Sequence, residues 1–317
     1  MSTLLPFDRL EQASRLTGPL HLAIGMFDGL HRGHQTVISA ALAAARRGGG
    51  QAGVLTFWPH PSALFRPAQP TRLLMPPAMK RAVLGRLGLD FVIEQNFSPE
   101  FAAIEARDFP AYLRHGLPSL AAVYVGENWR YGRGRSGTVT QLIAEAPPAG
   151  FSVFSAPRLN HGGAPISSSR IRELLVAGDI TAANALLGFA YFSTGTVQPG
   201  RQLGRTIGFP TLNLAWDPEL APRLGVYAVQ VTTAAGAVLP GVANYGVRPT
   251  VDAGTRPLLE VHLLEDSAVT YGDVLTVSWL QFLRPESKFN GVQELQAQIA
   301  LDRESAREFF RVKGGTA

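Results

Sequence analysis

LHLAIGMFDGLHRGHQTVISAAL, residues Leu20–Leu42, passes through three patterns in succession. Leu20–Phe27 is an apolar run of strand length. Gly25, Gly29 and Gly33 then punctuate a short turn-rich segment. From His34 onward, Val37, Ile38, Ala41, Leu42 and Ala45 recur on one helical face. A buried strand that runs through a glycine-rich turn into an amphipathic helix is the opening unit of a parallel α/β sheet. Such sheets bind ligands beyond the carboxyl ends of their strands, and His31 and His34 stand there.

Working outward, the alternation continues. Gly48–Gly50 stops the helix, and Gln51–Phe57 reads as the next strand. A proline-rich loop leads to a predicted helix near Ala78–Leu87. Asp90–Gln95, Leu120–Gly126 and Phe151–Ala156 read as further strands, with Glu100–Arg114 helical between the first two. The texture changes after about Leu187. From Tyr191 to Leu283 short β-rich runs (GVYAVQVT, LLEVHLL, VLTVSWLQFL) are broken by Gly and Pro, which predicts a small antiparallel barrel or sandwich. Val292, Leu295, Ile299, Phe309 and Phe310 predict a closing helix. The expected fold class is therefore α/β + β: a parallel-sheet domain over residues 1–187, then a small antiparallel β-barrel with a C-terminal helix over 188–317.

The chain has 317 residues, is 46% hydrophobic and carries a net charge of +5, with nearly all of its basic residues arginine. So mild an excess suits a nucleotide-sized anion, nucleic acid or a plain solvated surface. The absence of cysteine excludes disulfides, thiolate catalysis and zinc–sulfur sites. MSTLLPFDRLEQ meets charge early and lacks a long apolar core, so it does not read as a signal peptide. No run approaches the ~18–20 apolar residues of a membrane span. The expectation is a soluble, cytoplasmic protein with no membrane partner.

His31 and His34 admit three readings: metal ligands, core residues, or donors to an anion. A metal site lacks a third ligand apart from Asp28. A core position does not suit a turn off the apolar stripe. Anion binding uses the unpaired N–H groups and positive end of a helix N-terminus, with imidazole donors added and with Gly25, Gly29 and Gly33 permitting close approach. A second such cradle lies in ISSSRIRELL, Ile166–Leu175, where Ser167, Ser168, Ser169 and Arg172 gather at a helix start; simple capping is the alternative. GRGRSG (Gly132–Gly137) has dinucleotide-motif spacing without the required strand–helix context. GRQLGRT (Gly200–Thr206) lacks a P-loop lysine, and Pro210 bars a following helix. Farther on, Thr211 and Asn213 alternate with Leu212 and Leu214, so their oxygens share a strand face and suit one Mg²⁺. Glu260 and His262 likewise share a face; a solvated barrel surface is the alternative.

Taken together, these motifs resemble the bacterial riboflavin kinase/FMN adenylyltransferase (FAD synthetase) family. GMFDGLHRGHQ is similar to the H-x-G-H signature of nucleotidyltransferases, and ISSSRIR to their second signature, with Ser169 where threonine is commoner. VGENWRYGRGRSG resembles the flavin-synthetase segment. GRTIGFPTLNL, GVANYGVRPTV and LEVHLL resemble the riboflavin kinase module. The resemblance runs from about Leu20 to Arg311. It implies a Rossmann-like nucleotidyltransferase domain and a kinase barrel, with riboflavin, FMN and ATP as partners, FMN and FAD as products, Mg²⁺ as cofactor and no nucleic acid. The implied roles are His31, His34, Ser168, Ser169, Arg172 and Glu260 in catalysis, and Thr211 and Asn213 on the metal. Gly25, Phe27, Asp28, Gly33, Asn128, Ser167, Gly200, Gly204, Arg205, Gly208 and Pro210 would bind ATP or flavin. Trp58 in TFWPHP departs from the family pattern, which has an acidic residue there. Two rivals remain: transfer of a nucleotide to another small phosphate, and an arginine-rich nucleic-acid binder built on Arg130–Arg135.

Overall fold

The computed structural model describes residues 4–200, 204, 207–247 and 257–314. These divide into two compact units, Met1–Ser168 and Ser169–Ala317.

The first unit is a six-stranded parallel sheet in the order β1-β4-β3-β2-β5-β8. Its strands are β1 (Leu5–Phe7), β2 (Leu20–Ile24), β3 (Gln51–Trp58), β4 (Phe91–Asn96), β5 (Leu120–Gly126) and β8 (Ser152–Ala156). Two short hairpins add β6 (Arg130–Tyr131) with β7 (Gly137–Thr138), and β9 (Asn160–His161) with β10 (Ala164–Pro165). The helices are α1 (Arg32–Gly48), α2 (Pro61–Phe65), α3 (Pro77–Arg86), α4 (Pro99–Ala102), α5 (Phe109–Gly116) and α6 (Val139–Glu145). Helix α1 buries the predicted stripe Val37, Ile38, Ala41, Leu42 and Ala45 and packs on β2, β3 and β5. Each large aliphatic side chain so buried contributes about 1.5–3 kcal/mol. Gly49, at φ +68°, terminates the helix as expected.

Three sequence expectations need correction. The first helix starts at Arg32 rather than His34, with His31 as its N-cap. The expected Glu100–Arg114 helix is broken into α4, a 3₁₀ turn at Ala106–Asp108 and α5. Pro110 accounts for the break before α5: it has no N–H to continue a helix and is tolerated only in a first turn. Strand β1, which lies parallel to β4, was not expected.

The second unit begins with α7 (Ser168–Ala177, whose first residue closes the first unit) and α8 (Ile180–Leu187). A closed antiparallel barrel comes next, in the order β11-β12-β15-β14-β13-β16. Its strands are β11 (Phe192–Gln198), β12 (Leu212–Ala215), β13 (Gly225–Thr233), β14 (Val238–Val247), β15 (Pro257–Leu263) and β16 (Val274–Arg284). Closure removes the sheet edges. The barrel centre holds fully buried Trp279, Tyr227 and Tyr245, with Trp279 edge-on to Tyr227 at 4.7 Å. The Trp279 indole N–H donates to Ser193 Oγ at 3.1 Å, so it is not stranded in the core. The closing helix, α9 (Val292–Gly314), packs on β13, β14 and β16. Among the described residues no helix is long and apolar enough to cross a membrane.

Candidate functional sites

In the first sheet β2 has β3 on one side and β5 on the other, so chain order reverses between β2 and β5. This is the switch point at which open α/β sheets hold ligands. A cavity of about 300 Å³ opens there, lined by Gly25, Phe27, His31, Gly33, His34 and Asn128 among others. The turn that delivers the histidines is strained: Phe27 has φ +49°, Gly29 +80° and Leu30 +46°. Two non-glycine residues in the left-handed region are the kind of cost that surrounding structure must hold in place. Asp28 does much of that holding. Its buried carboxylate accepts from the backbone N–H groups of Leu74 (2.9 Å) and Met75 (3.3 Å). Its own carbonyl accepts from Ser168 Oγ at 2.8 Å, which ties the turn to a residue 140 positions along the chain.

His31 and His34 stack face to face, with centroids 3.6 Å apart and planes 15° apart. His34 meets Phe27 edge-on at 5.3 Å. His31 Nδ1 accepts from the His34 backbone N–H (3.3 Å). In its neutral form the ring therefore carries its proton on Nε2, as a donor. Burial pushes the His31 pKa down to about 4. Burial, then His31, then Lys80 hold His34 well below the usual imidazole range. Both rings are uncharged at neutral pH. A Cβ at Gly33 would sit 3.3 Å from Cε1 and Nδ1 of His31, so this glycine makes room for the ring. No acidic residue stands in the first turn of α1, which leaves its positive end available to an anion.

A second cavity, of about 500 Å³, shares Met26, Asn128 and Trp129 with the first. Aromatic rings dominate it: Phe57, Phe97, Phe101, Phe109, Trp129 and Tyr131, with Arg66 and Arg135 at its wall. Sequence reasoning did not assemble this group, because its members come from β3, α4, α5, β6 and the segments that follow β4 and β5. The nearest signal was the aromatic pair in ENWRYG, where Trp129 and Tyr131 stack at 5.0 Å. Trp58 is 42% exposed and lines neither cavity. Ser167 precedes α7, while Ser169 and Arg172 lie on α7 within the second unit.

In the barrel a cavity of about 440 Å³ is lined by Gly204, Thr211, Asn213, Glu260 and His262, and also by Asn244, which sequence reasoning missed. Glu260 on β15 lies in register with Asn213 on β12 and with Asn244 on β14. The predicted faces hold: Leu259 and Val261 are buried on the opposite side. His262 Nδ1 donates to the Pro210 carbonyl at 2.8 Å, which ties β15 to the residue before Thr211. Burial lowers the His262 pKa against the opposing effect of that bond, with Arg303 and Arg307 lowering it further. A side chain at Gly200 would strike the Asn213 amide, and one at Gly204 the Phe209 carbonyl. Gly208 has φ +83°. Arg205 lies outside the described residues, as do Arg248–Val251 of the GVANYGVRPTV motif. Arg284 and Asp302 form a two-bond ion pair in the cavity wall, both contacts 2.7 Å.

A parallel sheet with histidines at its switch point, and a barrel with an acid between two amides, define a two-module phosphate-transferring enzyme. The sequence model of the FAD synthetase family matches residues 14–170, and that of riboflavin kinase matches 187–310. The bifunctional riboflavin kinase/FMN adenylyltransferase of Escherichia coli K12 is 39% identical over 293 residues, covering 91% of this chain and 92% of its own. The Bacillus subtilis enzyme of that name is 36% identical over 294 residues, with the same coverages. A crystal structure of a macrolide-efflux protein from Streptococcus pneumoniae matches with a TM-score of 0.86 at 28% identity, over 96% of this chain and 98% of that one. The chain belongs to the bifunctional riboflavin kinase/FMN adenylyltransferase family.

Proposed function

We infer that this chain phosphorylates riboflavin to FMN with ATP and then adenylylates FMN with a second ATP, giving FAD and pyrophosphate. The observation that carries this reading is that His31, Gly33 and His34 line a cavity of ligand size in the first unit, and Thr211, Asn213 and Glu260 line another in the second.

In the barrel, Glu260 is the base. It accepts the proton of the ribityl hydroxyl as that oxygen attacks the γ-phosphorus of ATP and ADP leaves. Asn213 and Asn244, in register on either side, orient its carboxylate. Thr211 and Asn213 offer neutral oxygens of the kind Mg²⁺ accepts beside phosphate oxygens and water. Among the described residues no group of three His, Cys, Asp or Glu is placed to hold a metal, so substrate phosphates would supply much of its coordination. When bound, the ion neutralises phosphate charge in the in-line transfer. Gly200, Gly204, Gly208 and Pro210, with Arg205 of the same stretch of sequence, are assigned to nucleotide binding.

In the first unit the FMN phosphate is already an anionic nucleophile. It attacks the α-phosphorus of ATP, the bond to the β-phosphate oxygen breaks, and no base is needed. Catalysis is alignment and stabilisation of added negative charge. His31 and His34 donate to the ATP phosphates. Ser168, with Ser167, is assigned to the departing pyrophosphate. Gly25, Phe27, Asp28 and Gly33 shape the nucleotide seat. The aromatic cavity takes the flavin ring, and Asn128, shared by both cavities, links flavin to nucleotide. We place the functional boundary between the modules at 187/188 and the protein in the cytoplasm.

The deciding assay is chromatography of FMN and FAD after incubation with riboflavin and ATP. H34A is expected to stop at FMN. Equal loss of both products from a folded H34A protein would contradict separate sites.

A further inference from the structure

Lys80 is only 6% exposed and lies on the face of α3 that buries Val83 and Leu84. A buried ammonium is costly unless fixed dipoles or opposite charge replace its water. Here the direct partners are neutral oxygens. Nζ donates to Thr56 Oγ1 at 2.9 Å and to the Met26 carbonyl at 3.4 Å. Thr56, fully buried, donates its hydroxyl to that same carbonyl at 2.9 Å. Met26 heads the strained Phe27–Leu30 turn, so two donors converge on the point where the turn leaves the sheet. In a chain whose basic residues are nearly all arginine, a lysine fills this place. A compact ammonium can meet two close oxygens where a planar guanidinium would not fit.

The charged surroundings are few. Glu94 on β4 and Asp28 in the turn act on Lys80 favourably and Arg81 unfavourably. Glu94 is itself ion-paired to Arg81, and Asp28 is bonded to backbone amides. Lys80, together with His31 once that ring is protonated, opposes protonation of His34. Lys80 lines neither cavity of this unit, so it acts through the turn.

We propose that Lys80 is a positioning residue of adenylyl transfer: its ammonium locks the Met26 carbonyl, and with it the turn that presents both histidines to the nucleotide. The inference rests on the reading of His31 and His34 as the adenylyl-transfer site.

The test uses full-length K80M, K80R and T56V, with H34A as reference, assayed for FAD synthesis and riboflavin phosphorylation across a pH series. K80M is expected to lower kcat for FAD synthesis about 100-fold, as small misplacements do. The KM for ATP should change less than about three-fold and kinase activity less than about two-fold. The acid limb of its profile should move to higher pH, because the cation acting on His34 is gone. T56V keeps the cation, so it should lose about ten-fold in rate without moving that limb. K80R should restore the limb but not the rate. Wild-type kcat and pH profile in K80M, with H34A inactive, would overturn the role of Lys80 and leave the site reading intact. A fully active H34A would instead remove the site reading. Should K80M not fold, wild-type rate in T56V overturns the inference on its own.

Discussion

His31 and His34 stack at 3.6 Å, and neither ring is charged at neutral pH. The unfolded chain protonates each near the ordinary value of about 6.5, whereas folded His31 does so only near 4. Between those values the unfolded state holds more protons, so stability rises with pH. Thermal unfolding followed from about pH 4.5 to 7.5 should show Tm climbing through this window. H31Q should flatten the climb.

The same pair predicts a separation of activities. H34A should lose on the order of 10²–10³ in the rate of FAD synthesis, the usual cost of one lost oxyanion-type donor, and keep riboflavin phosphorylation. G33A should lower FAD synthesis about ten-fold, because its Cβ crowds the His31 ring rather than the fold. Single-turnover kinetics on both variants check the order of effect.

In the barrel, Glu260 lies beside Asn213 on the neighbouring strand. E260Q keeps the shape and removes the proposed base. It is expected to bind riboflavin, seen by quenching of flavin fluorescence, and to form almost no FMN. An active E260Q protein would remove the base assignment.

Arg284 ties the end of β16 to α9 through Asp302, whose side chain is 7% exposed. Removing one member of such a pair strands the other, at a cost of about 3 kcal/mol. D302A should lower the urea midpoint of the barrel unit by a corresponding amount. D302A/R284M, which leaves no stranded charge, should recover part of it.

Helix α8 bears on where the chain can be cut. Asn184 donates to the Trp279 carbonyl at 2.8 Å and accepts from the Tyr191 N–H at 2.7 Å. A fragment beginning at residue 188 loses both bonds and the helix that packs on β16. Its Tm should fall below that of a fragment beginning at Ser169, although the barrel residues proposed to act in catalysis are the same.

Much of this was legible from pattern. The Leu20–Leu42 stretch showed its strand, turn and helix because apolar period and glycine punctuation changed at the right places. Thr211, Asn213, Glu260 and His262 showed their shared faces through simple alternation. The features that stayed hidden depended on three dimensions. The aromatic cavity draws on separate strand ends that no local window contains. Asn244 joins Glu260 only through strand register. Strand β1 is three residues long and contains Pro6, too short and too irregular for any periodic signal. Lys80 did leave a trace: a charged residue three and four positions before buried Val83 and Leu84, on a stripe where a hydrocarbon belongs.

The Phe27–Leu30 turn is clamped from several directions: by Leu74 and Met75 on the Asp28 carboxylate, by Ser168 on its carbonyl, and by Lys80 and Thr56 on Met26. An awkward backbone fastened that firmly is assembled once, when the chain folds. On the proposed reading, each incoming triphosphate then meets dipoles already aimed, and little reorganisation is left for the moment of bond exchange.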